Sequence, residues 1–439
     1  MLSRLKPDIT IDIKSGLHAG LADLLSCRLG RPLRSLRMLP PFLSRLLSRI
    51  DAMVAAWCLA RSHNVADLRR WARFRVPAPM FHFMDGAADD EVTLARSQSD
   101  FARYEFLPRY LVDVSNVDTS TTIMGAPIDF PVVLAPTGMS RLFNNAGELA
   151  VARAAAEAGT SYALSTVGTY SIEQVAEVCS GPKWFQLYVF RDRTLVNEFM
   201  DRCRAARFHA LCLTIDVPIV GNRERDLRTG FGFPPQLSVA SWLDFFLHPL
   251  WSLKYLDGEP FQLANVAHKA PPGDAELTTL VDYVSSQYDP SVDWDAAAWM
   301  VEQWQGPFAI KGIASVEDAL RAADIGANAV ILSNHGGRQL DGAASSISLL
   351  ADVKQAVGER VEVILDGGVR RGSDVIKALA LGAQACMIGR PYLFGLGVGG
   401  EAGVAHVLAL LRAEIERDMA LLGVTRIEQI TSDYVRERR

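Results

Sequence analysis

The sequence predicts an α/β chain built on a (β/α)8 TIM barrel, with a helical N-terminal extension and a long insertion after strand four. Three observations carry this. From about residue 130 onward, short apolar, β-branched runs alternate with longer helical patterns, which implies a parallel sheet. There are eight such runs, enough to close the sheet on itself. Each run is nearly all apolar, as expected of strands covered on both faces.

The runs are, in order, Phe130 to Ala135, Ser161 to Leu164, Trp184 to Val189, Ala210 to Ile215, Pro307 to Ile310, Ala329 to Leu332, Val361 to Leu365 and Ala385 to Ile388. Helical patterns such as Gly147 to Ala158, Val316 to Ile325 and Gly372 to Ala380 lie between them. One spacing is irregular. The segment between Asp216 and Pro307 is far longer than an ordinary βα connection, and loops of that length are usually functional or carry structure of their own. Residues 66 to 125 read as a helical lead-in, and residues 1 to 65 as a separate extension. The domain division is therefore 1–65 and 66–439.

Composition narrows the function. The 439 residues carry 45 basic and 50 acidic side chains, a net charge of -5, so there is no general attraction to nucleic acid. Six scattered cysteines without a C-x-x-C spacing argue against a zinc site or a disulfide framework and fit a reducing compartment; no metal site is expected. The N-terminus turns polar at Asp8 to Lys14, unlike a signal peptide, and the apolar stretch Ile50 to Ala60 is too short for the ~20 residues of a membrane span. A cytoplasmic protein, or one on the inner face of the membrane, is expected.

In a barrel of this kind, residues at the C-terminal ends of the strands face the active site. Those ends read Pro136-Thr137-Gly138, Ser165-Thr166, Gln186 and Tyr188, Thr214 and Asp216, Lys311, Ser333 to Arg338, Asp366-Gly367-Gly368-Val369-Arg370, and Gly389-Arg390. A structural barrel needs few polar groups on one rim, so the convergence points to an enzyme. The glycine-rich, basic loops after strands seven and eight have the character of a phosphate site: glycines let backbone N–H groups approach the oxygens, and arginine adds a charged fork. Tight turns with surface arginines are the plain alternative. His335 directly follows a strand, beside Asn334, glycines and Arg338, which suits a general base better than a packing residue. Asp216 is placed to hydrogen-bond its imidazole. Lys311 suits a salt bridge, a Schiff-base nucleophile or a cation facing a developing anion, and the residues alone do not choose.

The run Ser333-Asn-His-Gly-Gly-Arg-Gln-Leu-Asp341 resembles the active-site signature of the FMN-dependent 2-hydroxy-acid dehydrogenases and oxidases. The likeness extends, in order, through Leu134 to Gly138, Leu164 to Thr166, Phe185 to Val189, Leu213 to Asp216, Ile310 to Gly312 and Asp366 to Gly372. Within the family the chain is most similar to the bacterial membrane-associated L-lactate dehydrogenases, notably at Phe81-His82 and His248 to Trp251. The resemblance implies FMN as cofactor and oxidation of an L-2-hydroxy acid, L-lactate first, to the 2-oxo acid. His335 would take the proton, paired with Asp216; Arg338 and Arg223 would hold the substrate carboxylate, and Tyr188 the hydroxyl. Lys311 would face the flavin N1 and O2 edge. Ser165, Gln186 and Thr214 would bond the ring edge, with Pro136, Thr137 and Gly138 against it. Ser333 and Asp366 would lie near the ribityl chain, and Gly367, Gly368, Arg370, Gly389 and Arg390 at the phosphate.

Phe81 is expected where many members place a carboxylate-binding tyrosine, and Val167 gives an aliphatic pocket wall. The resemblance also implies a homo-oligomer, a tetramer as in relatives. Electrons are expected to pass to a quinone or another acceptor. The aromatic insertion segment Trp242 to Tyr255 and the stretch Pro41 to Arg61 suit a membrane surface or, equally, an internal interface. The competing readings are an oxidase using oxygen, a mandelate-type or peptide-modifying relative, and a silent flavin-binding barrel. The intact His335, Asp216, Arg338 and Arg223 argue against the last.

Overall fold

The computed structural model describes residues 40–438 apart from 189, 233–235, 260, 270–282 and 285. Eight parallel strands close into a barrel: β1 (Val132–Leu134), β2 (Tyr162–Ser165), β3 (Lys183–Leu187), β4 (Ala210–Thr214), β5 (Phe308–Ile313), β6 (Ala329–Leu332), β7 (Glu362–Asp366) and β8 (Ala385–Ile388). Neighbours pair in chain order, with Thr214 level with Lys311 across β4 and β5, and β8 returns to β1 through Cys386 and Val132. All eight expected runs are strands.

Side chains alternate along each strand, so one face fills the barrel and the other meets the helices. The interior holds Val133, Ala163, Trp184, Cys212, Ala309, Ile331, Ile364 and Met387, all buried. Ala163 and Ala210, level with Trp184 on the two neighbouring strands, leave room for its ring. The outward set, including Leu134, Leu164, Phe185 and Leu213, joins the main core beneath the helices. Two residues beyond the last apolar interior position, most strands reach a polar one: Ser165, Gln186, Thr214, Lys311, Ser333 and Asp366. The apolar plug thus ends in a polar layer at one mouth.

Around the barrel, the connecting helices sit where the patterns place them, for example Gly147–Glu157, Val316–Asp324 and Gly372–Ala380. The lead-in is helical only as far as Arg103; beyond it lie the short strands Tyr104–Phe106, Thr121–Ile123 and Ala126–Ile128. The extension contributes α1 (Pro41–Leu59), followed by α2 (Val65–Arg75), capped by Asn64, and α3 (Ala78–Asp85). The insertion after β4 carries α4 (Val239–Leu247), capped by Ser238, and α5 (Pro249–Asp257). The terminal helix α6 (Arg390–Leu422) is long and apolar enough to cross a membrane. Most of its apolar stretch is buried instead, against α1, α2 and the helix Gly147–Glu157, and it kinks at Gly399 and Gly400.

Candidate active site

A cavity of about 740 Å³ opens at the mouth where the polar layer sits. Pro136, Thr137, Gly138, Ser165, Tyr188, Arg223, Lys311, His335, Arg338, Asp366, Gly367, Gly368, Arg370, Gly389 and Arg390 line it. Gln186, Thr214, Asp216 and Ser333 do not, and three of these four instead support a residue that does.

His335 is the clearest case. Its Nδ1 lies 2.9 Å from Asp216 Oδ1, which leaves Nε2 for a substrate. Burial alone would raise the Asp216 carboxyl, but the His335 imidazole, its hydrogen bond and the Lys311 ammonium hold it below the ordinary range. Asp216 reaches this place because Gly312, at a bulge in β5 with φ +106°, has no side chain; a Cβ there would sit 2.7 Å from Asp216 Cβ. His335 itself has φ +55°, a conformation that costs a non-glycine residue on the order of 1 kcal/mol and persists only where the surroundings impose it. They do so here: the His335 N–H donates to Ser333 Oγ at 3.1 Å, and Arg390 grips the carbonyl of Gly336 at 2.8 Å.

Lys311 is buried in the floor, between Asp366 Oδ2 at 2.7 Å and Ser333 Oγ at 2.9 Å. Burial works against its charge, but Asp366 and Asp216 outweigh it and raise its pKa, so the floor carries a fixed ammonium. The Schiff-base reading needs a neutral amine and is disfavoured by this pairing. Ser333 and Asp366 are accordingly held on Lys311, and Ser333 lies off the cavity wall.

Four cavity arginines, Arg223, Arg338, Arg370 and Arg390, join no ion pair among the described residues, whereas nearby Arg225 and Arg371 pair with Asp85, Glu91 and Glu414. Arg338 donates to the carbonyls of Phe83 at 2.6 Å and Gly86 at 3.1 Å. Arg390 donates to those of Asp85 and Gly86 at 3.1 and 2.7 Å. Burial, together with the neighbouring Arg223 and Arg390 charges, depresses Arg338 far below the usual guanidinium value. Burial and the adjacent Arg390 bring Arg370 down to about 10, and burial brings Arg390 down to about 10 as well. Such crowded, unneutralised cations make a site for anions. Carbonyls hold three of them in place without cancelling their charge, Arg370 through that of Val369 at 2.8 Å.

Two polar atoms test what else the cavity is built for. Among the described residues, Gln186 Nε2 and Thr214 Oγ1 are buried with no hydrogen-bond partner, near Ser165, which bonds Gln186 Oε1 at 3.0 Å. Unpaired buried donors are costly unless a ligand completes them. A planar heterocycle with carbonyls and ring nitrogens, carrying a phosphate toward Arg370 and Arg390, fits this donor set. At the phosphate end, Gly368 packs so closely that a Cβ would lie 1.9 Å from the Ser97 carbonyl.

One expectation is corrected. Phe81 does not line the cavity; it is buried in α3 with 2% exposure. Phe83, two residues on, lines the wall and lies under two of these cations, 5.0 Å from Arg338 and 5.9 Å from Arg223. On a helix, residues two apart point in different directions, and the sequence run alone did not say which faced inward. Several cavity residues escaped the sequence reading. Tyr288 packs edge-on against Tyr188, with ring centroids 5.1 Å apart, and comes from the long insertion, where no periodicity marks it. Asp226 lies one helical turn after Arg223, a spacing that was available as a signal. Burial pushes its carboxyl up, against the opposing pull of Arg338, Arg223 and Arg225.

Comparison with known proteins agrees with this geometry. Residues 72–437 match the family model described as FMN-dependent dehydrogenase. An L-lactate oxidase of Nostoc sp. is 42% identical over 376 residues, covering 85% of this chain and 97% of that protein. An L-lactate dehydrogenase of Caulobacter vibrioides is 40% identical over 376 residues, covering 85% and 98%. Among solved structures, the monotopic membrane protein (S)-mandelate dehydrogenase superposes with a TM-score of 0.83 at 38% identity, over 86% of this chain and all of that one.

Proposed function

We propose, for a chain that belongs to the FMN-dependent dehydrogenase family, that it oxidises L-lactate to pyruvate with His335 as the base. The observation that carries this is the His335–Asp216 pair beside the unpaired Arg338 and Arg223. A 2-hydroxy acid needs this combination: a base for the proton and a cationic clamp for the carboxylate. FMN supplies the two-electron acceptor.

The remaining roles follow from chemistry. Arg338 and Arg223 bind the carboxylate and fix the hydroxy carbon. His335 Nε2 takes the proton, and Asp216 stabilises the imidazolium formed. Burial lifts Tyr188 well above the ordinary phenol value and Tyr288 to about 12, so both remain O–H donors at neutral pH, with Tyr188 toward the substrate oxygen. Lys311 supplies positive charge to the reduced ring edge. Ser165, Gln186 and Thr214, with the backbone of Pro136, Thr137 and Gly138, would bond or pack against the ring, with Ser333 and Asp366 behind Lys311. Gly367, Gly368, Gly389, Arg370 and Arg390 would hold the phosphate.

The division into an added segment 1–65 and a dehydrogenase unit 66–439, a homotetramer, a place on the inner membrane face and a quinone as acceptor belong to the same proposal. Exposed Phe246 and Leu247 on α4 support the membrane part. A second reading, an aryl substrate such as mandelate, is favoured by the rings of Phe83, Phe143 and Phe231 along the wall. Anaerobic flavin bleaching by L-lactate, glycolate, mandelate and long-chain hydroxy acids tests both. A higher kcat/KM for mandelate than for L-lactate would replace the first reading by the second, and no bleaching by any acid would remove both.

A further inference from the structure

A second cavity, of about 180 Å³, lies between α1, the end of α2, and the insertion helices α4 and α5. Its rim carries Val54, Phe74 and Leu247, the last two 72% and 76% exposed. The rim continues into an apolar surface: Phe42, Met53 and Trp57 on α1, and Val239, Leu243 and Phe246 on α4, are all exposed. At its inner end stands Phe143, which also lines the flavin cavity and stacks on Phe83 there, with ring centroids 6.3 Å apart.

The interior is polar in a particular way. Its one acid, Asp51, is neutralised by Arg75 at 2.5 Å and Lys254 at 2.6 Å. Arg75 is nine-tenths buried, and its Nε has no hydrogen-bond partner among the described residues. His248 spends Nδ1 on the Asp244 carbonyl at 2.8 Å and lines the cavity with its remaining ring nitrogen available. The unmatched groups are thus an N–H donor and an imidazole nitrogen, and among the described residues lining the cavity no acid is left unpaired. A neutral ring bearing carbonyl oxygens would satisfy them, and an apolar tail on that ring would leave over the exposed face.

We propose that this cavity seats the ring of a lipid-soluble quinone, with Arg75 Nε and His248 contacting its carbonyls and Phe143 as the wall shared with the flavin cavity. The inference rests on the acceptor reading above and not on the identity of the hydroxy acid. In turnover, two electrons and one proton pass from reduced flavin to the quinone. A second proton comes from solvent, so quinol forms and oxidised FMN is restored. The site uses α1, which lies outside the residues that match the family model.

The test uses the full-length FMN-loaded protein. Binding of a decyl-tailed benzoquinone is measured by calorimetry, with decylbenzene as a tail-only control, for wild type, Val54→Trp, which fills the mouth, and His248→Leu, which removes a polar partner. Each substitution is expected to weaken quinone binding at least ten-fold and raise the quinone KM correspondingly. Flavin bleaching by L-lactate and turnover with ferricyanide should be unchanged. Equal binding of decylbenzene, or wild-type quinone affinity in both variants, overturns the site. If the enzyme nonetheless reduces the quinone, only the site falls and the acceptor reading stands. If wild type neither binds nor reduces it, both fall. Loss of quinone binding in the variants of a protein that lactate does not bleach upholds the site and removes only the lactate assignment.

Discussion

At the scale of single residues, chemistry at this site depends on how neighbours hold each group. In the proposed reaction His335 serves as the base, and the geometry supports that role: Asp216 holds Nδ1 and a strained backbone aims the ring. His335→Gln should keep the flavin and slow its reduction by ~10² to 10⁴, the usual contribution of a general base. Stopped-flow bleaching measures this, and near-normal reduction would take His335 out of the mechanism. Asp216→Ala should cost less, since it orients the imidazole without accepting the proton. Asp226 gives a pH prediction. Its carboxyl is raised by burial, so its contribution to stability is fully present below the unfolded value of about 3.9 and is lost as pH rises through the folded value. Asp226→Asn cannot ionise. It should make the flavin-free protein more stable than wild type at pH 7, with the gain vanishing below about pH 4. Urea titrations at the two pH values decide it.

At the scale of elements, strand ends and loops divide the labour. The β7–helix loop approaches the lead-in so closely at Gly368, with φ +83°, that a methyl group has no room. Gly368→Ala should therefore displace the loop and lower FMN affinity, read by fluorescence titration of free flavin, while a comparable change at exposed Gly342, with nothing within 4 Å, should leave FMN affinity unchanged. The insertion helix α4 tests the membrane reading. Phe246 and Leu247 are 74% and 76% exposed, so replacing both by Ser should change stability by no more than about 0.5 kcal/mol each. It should nonetheless release the protein from anionic phospholipid vesicles in a sedimentation assay. Wild-type binding by the double variant would remove α4 from the membrane contact.

At the scale of the whole molecule, the barrel stands apart from what it carries. Trp184, Met387 and the other interior side chains form an apolar plug, and the cavity above holds four arginines with no ion pair among the described residues. Binding FMN supplies the missing anion, and a ligand that binds only the folded state stabilises it by about 2.7 kcal/mol at a hundred times its Kd. Differential scanning calorimetry should show Tm rising by a few degrees with added FMN. Arg370→Met with Arg390→Met should abolish that rise. Because burial and mutual repulsion make those cations unfavourable without an anion, the double variant without flavin should melt no lower than wild type without flavin.

What the sequence by itself determined was the barrel and most of its rim. Runs such as Ala210 to Thr214 are apolar on both faces until their last residue, and in a closed barrel the polar residue that ends most of them faces the mouth. His335, Lys311 and the arginines of the last two loops were legible for that reason. The tertiary structure decided the rest, because those contacts join segments far apart in the chain. It brought Phe83 rather than Phe81 under Arg338, paired Asp366 with Lys311 in the cavity floor, and delivered Tyr288 from the insertion to Tyr188. It also laid α1 against α5, where Ser44 bonds Asp257 at 2.8 Å across 213 residues. Local periodicity records which face of an element is apolar; it carries no information on which distant face will cover it.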